Sequence, residues 1–147
     1  MKAVVQRVKK ASVKYDDIIE EIKSGLVVLL GIGKNDTEKD AECLSDKILN
    51  LRIFADDKNK FNYSVTDIRG DILIVSQFTL YGNCQRSRRP DFTAAAEPAK
   101  ANILYEKFVD KMKKSHLTVK TGKFAADMLV EIHNDGPVTV LLNTEQC

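Results

Sequence analysis

Apolar and polar residues alternate through the first part of the chain. Valines alternate with lysine, glutamine and arginine over residues 2–8, and a shorter alternation covers residues 11–15. A period of two residues is typical of β-strands with one buried face. The apolar run at residues 26–32, bracketed by Gly25 and Gly33, indicates a buried strand. The pattern therefore predicts three strands before Gly33.

A helical period replaces this alternation in two places. Over residues 37–51 the apolar positions that share one face are Ala41, Leu44, Ile48 and Leu51. Asp36 or Thr37 can cap this helix, and Asp40 can complete a capping box with Thr37. Pro98 suits the first turn of a second helix, whose predicted apolar stripe comprises Ile103, Leu104, Tyr105, Phe108, Val109 and Met112.

The remaining apolar segments predict further strands. Residues 71–80 form one, in which an apolar run leads into Ser76, Gln77, Phe78 and Thr79. Residues 56–59 are turn-like, and residues 125–133 and 138–142 predict two strands around a turn at residues 134–137. This order of elements favours one mixed α/β or α+β domain over residues 1–147, with a barrel-like sheet and two covering helices.

Composition narrows the class of protein. The chain has 147 residues, of which 44% are hydrophobic and 30% charged, as in a globular domain. The apolar runs are too short to span a membrane and no signal peptide is visible, so we expect a cytoplasmic protein without a membrane partner. Three cysteines without metal-binding spacing predict reduced thiols, no metal site and no cofactor.

Basic residues cluster although the net charge is only +2. Arg86, Arg88 and Arg89 lie close together, and many lysines follow in the second half of the chain. Such clusters bind phosphate backbones in some proteins. More often they are solvated surface charge, and the charge pattern alone leaves both interpretations open.

Common catalytic motifs are absent from the sequence, which has no Walker A loop, GxSxG elbow, HExxH or GxGxxG. Of the two histidines, His116 follows a helix, whereas His133 precedes the predicted turn and is either a base or a structural residue. The polar end of the strand at Ser76–Thr79 is either a pocket edge or plain alternation. Gly136-Pro137 is either a simple turn or a cis peptide bond. These residues alone do not define an activity.

Several segments resemble the D-aminoacyl-tRNA deacylase family in the family's own order. They are MKAVVQRV (1–8), GLVVLLG (25–31), LRIF (51–54), VSQFTL (75–80), RPDF (89–92), TGKFAADM (121–128) and NDGPVT (134–139). The resemblance covers nearly the whole chain, and SQFTL together with NDGPVT is specific. The chain departs from the family at residues 15–25, where Asp17 and Glu20 replace the usual glycines, and at residues 83–88.

The resemblance implies an enzyme that hydrolyses the ester bond of D-aminoacyl-tRNA, and of Gly-tRNA mischarged on tRNA-Ala. It implies a homodimer with active sites at the subunit interface, and neither cofactor nor metal. The residues that would line the pocket for the terminal adenosine and the ester are Ser76, Gln77, Phe78 and Thr79. Those that would contact the substrate further out are Phe124, Met128, Val138 and Thr139, while Arg86, Arg88 and Arg89 would contact tRNA.

Selectivity for D-amino acids would depend on Gly136 and Pro137. The resemblance implies that their peptide bond is cis and enters the partner's site, where its carbonyl oxygens accept the substrate's α-ammonium group and an L side chain clashes. Backbone N–H groups of Phe78 and Thr79 would stabilise the oxyanion, and the substrate's 2′-OH would activate water. The alternative catalyst is Thr79 as nucleophile. A non-enzymatic RNA-binding module and a structural dimerisation domain are the alternative classes.

Overall fold

A six-stranded mixed sheet is the centre of this computed structural model, which describes residues 1–85 and 88–146. The strands are β1 (Lys2–Tyr15), β2 (Ile18–Ile22), β3 (Gly25–Gly31), β6 (Asp71–Ser76), β7 (Val119–Thr121) and β8 (Leu129–Asn143), and β4 (Phe54–Ala55) and β5 (Phe61–Tyr63) form a separate hairpin. The helices are α1 (Glu38–Leu49) and α2 (Pro98–Lys113), with two 3₁₀ helices at Phe78–Tyr81 and Thr144–Gln146.

Strand β1 organises the sheet. Its N-terminal half pairs antiparallel with β3 and its C-terminal half with β2, while β8 pairs antiparallel along its other edge. Strand β3 then pairs parallel with β6, and β6 parallel with β7. The sheet is mixed and nearly closed, as expected from the order of the elements.

Apolar side chains form a core on each face of the sheet. One cluster joins the sheet to both helices, through Leu44 and Ile48 of α1 and Phe108 and Met112 of α2. The other lies on the opposite face and includes Val8, Val13, Val27, Leu73 and Val75. Successive residues of β3 and β6 contribute to opposite clusters, which explains why both strands are continuously apolar.

Several predicted elements are confirmed. Helix α1 begins after Thr37, and its capping box with Asp40 is present. Helix α2 has Pro98 at its first position and buries most of the predicted stripe, although Ile103 is 55% exposed and does not belong to it. The fold class, an α+β domain with a barrel-like sheet and two covering helices, is also confirmed.

Other boundaries were predicted wrongly. Residues 2–15 form one strand instead of two, because a register shift near Lys9 lets β1 continue without a break. Strand β6 ends at Ser76 and is followed by a 3₁₀ helix, whereas the prediction extended the strand to Leu80. Residues 125–128 lie outside any strand, and β8 continues through the predicted turn at residues 134–137.

The expectation of reduced thiols is wrong for Cys43, which is disulfide-bonded, while Cys84 is free and exposed. Disulfide pairing depends on the approach of two Cβ atoms in space, which sequence spacing does not reveal. Cys147 lies outside the described residues. Within the two described ranges, residues 1–85 and 88–146, no helix is both long and apolar enough to cross a membrane.

Candidate functional site

An open pocket of about 580 Å³ lies where strand β6 ends. Its lining includes the predicted residues Ser76, Gln77, Phe78, Phe124 and Met128. The other lining residues come from β3, β6, β8, the start of α2 and the neighbouring loops, and most of them are apolar. They are Leu30, Ile32, Val75, Phe92, Ala95, Ala96, Glu97, Pro98, Ala101, Ala125, Ala126, Asp127 and Val130. A pocket with this lining and volume can accept a flat aromatic group.

The 3₁₀ helix (Phe78–Tyr81) forms one edge of this pocket. The N–H of Gln77 still donates to the carbonyl oxygen of Leu30 over 2.7 Å, after which the chain leaves the sheet. It turns back across Gly31, where an added Cβ would lie 3.0 Å from the Gln77 oxygen and 3.1 Å from the Leu80 Cβ. The close approach explains why β6 ends here and not at Leu80.

Backbone donors are available at the start of this helix. The N–H of Leu80 donates to the carbonyl oxygen of Gln77 over 3.3 Å, which closes the single turn. The N–H groups of Phe78 and Thr79 precede that bond and have no acceptor within the helix, because the first residues of any helix lack one. The side chain of Phe78 itself lines the pocket and is 59% exposed.

Thr79 is exposed and is not among the pocket-lining residues. Its hydroxyl oxygen accepts a hydrogen bond from the side-chain amide of Gln77. An amide N–H is a donor and cannot take a proton from the threonine hydroxyl. In the described part of the chain neither His116 nor His133 lines the pocket, and both are exposed.

Aromatic contacts support two sides of the pocket. The rings of Phe78 and Phe92 meet edge to face with centroids 5.1 Å apart, and those of Tyr105 and Phe124 are 5.8 Å apart. The hydroxyl of Tyr105 donates to the carbonyl oxygen of Ile74 over 3.1 Å. Burial raises the pKa of Tyr105 well above its usual range, so this hydroxyl stays protonated and continues to donate.

The arginine loop (residues 83–91) begins and ends next to the pocket. Asn83 and Asp91 pair through two backbone hydrogen bonds of 2.8 and 2.9 Å, and Phe92 follows directly. A hydrogen bond from the Thr93 N–H lowers the pKa of Asp91. Arg88 and Arg89 are exposed, and Arg86 lies outside the described residues. A role in tRNA binding stays a prediction for all three arginines.

Residues 135–138 of β8 form a bulge, called here the Gly136 bulge. From the pair Gln6–Thr139 to the pair Val8–Asn134, β1 advances two residues while β8 advances five, so three extra residues of β8 lie between the pairs. The peptide bond between Gly136 and Pro137 is cis, and both residues are exposed. Patterning predicted a turn between two strands, whereas these residues protrude from one continuous strand.

Two side chains hold the Gly136 bulge. Arg7 donates from Nε to the carbonyl oxygen of Asp135 over 3.0 Å and from Nη1 to the carbonyl oxygen of Ile53 over 2.7 Å. Asn134 accepts from the Val138 N–H over 2.7 Å and donates to the Val138 carbonyl oxygen over 3.1 Å. Sequence reasoning assigned no role to Arg7 or Asn134, although both lie in the segments that carry the family resemblance.

The bulge does not reach the pocket of its own chain. Gly136, Pro137, Val138 and Thr139 are absent from the pocket lining among the described residues. Val138 packs partly against the core, and the Thr139 hydroxyl oxygen accepts from Gln6 over 3.2 Å. Within this chain the predicted site residues that the structure describes therefore do not form a single group.

Comparisons with known proteins agree on one family. The model of the D-Tyr-tRNA(Tyr) deacylase family matches residues 4–143. A D-aminoacyl-tRNA deacylase from Thermosipho melanesiensis is 60% identical over 99% of both chains, and one from Aquifex aeolicus is 56% identical over 99% of both.

Solved structures give the same architecture. The c-Myc DNA Unwinding Element Binding Protein superposes with a TM-score of 0.90 at 44% identity, covering 97% of this chain and 98% of that one. A probable eukaryotic D-amino acid tRNA deacylase has a TM-score of 0.86 at 16% identity, covering 96% and 97% of the two chains, and supports the fold alone.

The family model and the named relatives define the class of protein, a hydrolase acting on carboxylic ester bonds. Within that class, the chain belongs to the D-Tyr-tRNA(Tyr) deacylase family.

Proposed function

We propose that residues 1–147 act as one deacylase domain that hydrolyses the ester bond of D-aminoacyl-tRNA in the cytoplasm and releases free D-amino acid and tRNA. The observation that carries this proposal is the open, mainly apolar pocket at the end of β6, bordered by a 3₁₀ helix whose first backbone N–H groups, those of Phe78 and Thr79, have no acceptor within the helix. An apolar pocket binds the terminal adenine, and nearby amide donors act on the ester joined to its ribose. The names of the relatives support the same substrate.

The terminal adenosine binds against Phe124 and Met128, with the ester directed toward the 3₁₀ helix. Phe124 is backed by Tyr105, which holds the wall in place. As the ester carbonyl becomes tetrahedral, its oxygen gains negative charge that the N–H groups of Phe78 and Thr79 stabilise. One such donor is worth about 3–4 kcal/mol in other hydrolases. Ser76 and Gln77 bound the same space and orient the ribose.

The active enzyme is a homodimer in this proposal, because the Gly136 bulge lies outside its own pocket and enters the partner's. The bulge is exposed, as a segment that docks into another subunit must be before assembly. Leu129 and Leu141 of the same strand are 64% and 77% exposed, which provides apolar surface for the partner to cover. Val138 and Thr139 follow the bulge and contact the substrate from the partner's side.

Chiral selection follows from that placement. The carbonyl oxygens of Gly136 and Pro137 accept the α-ammonium group of the substrate and fix the substituents on its Cα. A D side chain then points toward open space, whereas an L side chain meets the bulge. Rejection by a clash requires no fitted side-chain pocket, so many D-amino acids are accepted. Glycine has no side chain to clash, so Gly-tRNA mischarged on tRNA-Ala is also a substrate.

Catalysis relies on the substrate's 2′-OH to activate water. The alternative, Thr79 as nucleophile, requires a base next to its hydroxyl, and the neighbour is instead the donating amide of Gln77. Thr79→Ala should therefore retain measurable activity, while a substrate ending in 2′-deoxyadenosine is cleaved poorly. Single-turnover rates of the two reactions decide the question. If Thr79→Ala is inactive while the wild-type enzyme cleaves the 2′-deoxy substrate at the normal rate, Thr79 is the nucleophile.

The direct test of the function is hydrolysis of D-Tyr-tRNA and L-Tyr-tRNA by the purified protein. We expect release of D-Tyr at enzyme concentrations that leave L-Tyr-tRNA intact, and slower release of glycine from Gly-tRNA. Equal rates for both enantiomers would contradict chiral selection. Binding of tRNA without hydrolysis of either ester would favour the RNA-binding module considered from the sequence.

A further inference from the structure

The far end of the 3₁₀ helix is attached to a group of polar residues that do not line the pocket. Asp36 is at its centre, with a side chain only 13% exposed. Its carboxylate accepts from the Gly33 N–H over 2.6 Å and from the α-ammonium group of Met1 over 2.7 Å. It also accepts from the hydroxyl of Tyr81, the last residue of the 3₁₀ helix, over 3.3 Å.

Tyr81 fits against backbone that lacks side chains. An added Cβ at Gly33 would lie 2.6 Å from the Tyr81 hydroxyl oxygen, and one at Gly31 would lie 3.4 Å from its ring. The ammonium group of Lys2 lies 4.6 Å from the ring centroid on another side. Burial, and secondarily the charge of Asp36, raise the pKa of Tyr81 above its usual range, so its hydroxyl remains a donor.

We propose that Asp36 and Tyr81 are positioning residues, whose hydrogen bond orients the N–H groups of Phe78 and Thr79 toward the ester. The 3₁₀ helix has only four residues, and the N–H of Gly82 donates back to the Thr79 carbonyl oxygen over 2.9 Å. A rotation of the chain at Tyr81 is therefore transmitted to Thr79. The inference rests on the proposed role of these amides as oxyanion donors.

Oxyanion stabilisation depends on the direction of the donors more than ground-state binding does. A loosened helix should therefore lower kcat and leave KM nearly unchanged, since the adenosine is bound by Phe124 and Met128. A residue that merely supported the fold would instead lower the amount of active enzyme without a selective change in kcat per active site.

Tyr81→Phe removes only the hydroxyl, and we expect kcat for D-Tyr-tRNA to fall about tenfold per folded active site. Asp36→Asn should lower kcat in the same direction. The double variant should be about as slow as the slower single variant, because both changes remove or weaken the same Tyr81–Asp36 hydrogen bond, while Asp36→Asn also weakens the contacts with Gly33 and Met1. If Asp36→Asn does not fold, Tyr81→Phe alone decides the matter.

Asp67→Asn is the matched control, since Asp67 accepts from the N–H and hydroxyl of Ser64 over 2.8 and 2.7 Å at a turn remote from the pocket. It should lower stability and keep the wild-type kcat. Hydrogen exchange provides a second measurement. Amides of residues 77–82 should exchange faster in Tyr81→Phe than in the wild type, and at the wild-type rate in Asp67→Asn. Wild-type kcat and wild-type exchange in Tyr81→Phe would overturn the inference.

The two proposals fail in different ways. A wild-type protein that hydrolyses neither ester refutes the deacylase proposal and the catalytic part of the inference, while exchange at residues 77–82 still reports whether the hydrogen bond orders the helix. An active wild type with an unaffected Tyr81→Phe variant refutes the inference alone. A Tyr81→Phe variant in which KM rises and kcat is unchanged also refutes the inference.

Discussion

Gly136 occupies a position that no residue with a side chain fits. Its φ of +135° lies in a region that L residues rarely adopt, and an added Cβ would lie 2.7 Å from Val138 Cγ2 and 3.1 Å from Arg7 Nη2. Arg7 is also the residue that holds the bulge through Asp135. A methyl group here therefore disturbs the bulge and its anchor together.

Gly136→Ala should strongly reduce hydrolysis of D-Tyr-tRNA and lower the free energy of unfolding by about 1–3 kcal/mol. The measurements are kcat/KM and urea denaturation. Gly70→Ala serves as control, because a Cβ there would lie 3.0 Å from Ile68 Cδ1 and 3.1 Å from the Ser24 carbonyl oxygen, away from the bulge and the pocket. The control should lose stability and keep its activity. Full activity of Gly136→Ala would refute the proposed role of the Gly136 bulge in chiral selection.

For single residues, the sequence identified candidate site residues but not the contacts that they make. The resemblance singled out Gly136 and the strand end at Ser76, and the structure places the latter in the pocket. The contact of Arg7 with Asp135 joins residues 128 positions apart, and no local pattern encodes such a pair. The amide groups of Phe78 and Thr79 are backbone features of the 3₁₀ helix, which passes close to Gly31 of another strand.

The beginning of helix α1 shows how a short local motif determines an element. Asp40 accepts from the N–H and the hydroxyl of Thr37 over 2.8 and 2.7 Å. The hydrogen bond from the Thr37 hydroxyl, the largest cause, and that from the Thr37 N–H hold the pKa of Asp40 below its usual range. A carboxyl group with a lowered pKa stabilises the fold above its unfolded pKa, and this contribution is lost as the pH falls through the folded pKa.

Asp40→Asn should lower the free energy of unfolding by about 1 kcal/mol at neutral pH, the usual value of a cap. The difference from wild type should shrink as the pH falls from about 4, the usual pKa of an unfolded aspartate, through the lower pKa of the folded protein. Denaturation at several pH values measures both effects, with Glu42→Gln on the exposed face of α1 as control. A difference that does not change with pH would show that the carboxylate charge is irrelevant to the cap.

Element boundaries were predictable only where such local signals exist. Pro98 and the Thr37–Asp40 box mark the beginnings of the helices in the sequence itself. Strands β4, β5 and β7 have two or three residues each, which is too short to display a period. The end of β6 depends on a close approach to Gly31 in another strand, so tertiary contact rather than local propensity determined it.

The proposed site is complete only when two copies of the chain assemble into a dimer. Leu141 is 77% exposed and belongs to the strand that carries the Gly136 bulge. Leu141→Glu should prevent dimer formation and abolish hydrolysis, because a charge there cannot be buried unpaired. Sedimentation and activity on D-Tyr-tRNA measure the two effects. Ile103→Glu, at a 55% exposed position of α2, should leave both unchanged; an active monomeric Leu141→Glu variant would contradict the shared site.

Binding of tRNA also involves more than the pocket. Arg88 and Arg89 lie on the arginine loop, which returns to the pocket wall at Phe92. If these residues contact phosphates, the double change to Glu should weaken binding of every tRNA alike and reduce the salt dependence of binding. Selectivity for D over L should stay unchanged, since the proposed chiral selection depends on Gly136 and Pro137 and not on the arginines. Unaltered affinity across salt concentrations would indicate that the loop charges are solvated.

The fold class followed from the order of strands and helices, whereas the dimer did not follow from any periodic pattern. Two helices between groups of strands led directly to a mixed sheet with covering helices. Pairing partners such as β1 with β8 were not predictable, because strand register depends on residues far apart in the sequence. The assembly was suggested by family resemblance alone.

The pairing of β1 with β8 also has a consequence for biosynthesis. Lys2 pairs with Asn143, so the first strand of the fold pairs with the last. During translation one edge of β1 therefore has no partner within the chain, and an unpaired edge is a site of aggregation. The sheet closes only after β8 has been released, and contacts so distant in sequence make folding slow. The sheet is therefore complete only once all of its strands are available, and a chain that still lacks β8 is the form most in need of a chaperone.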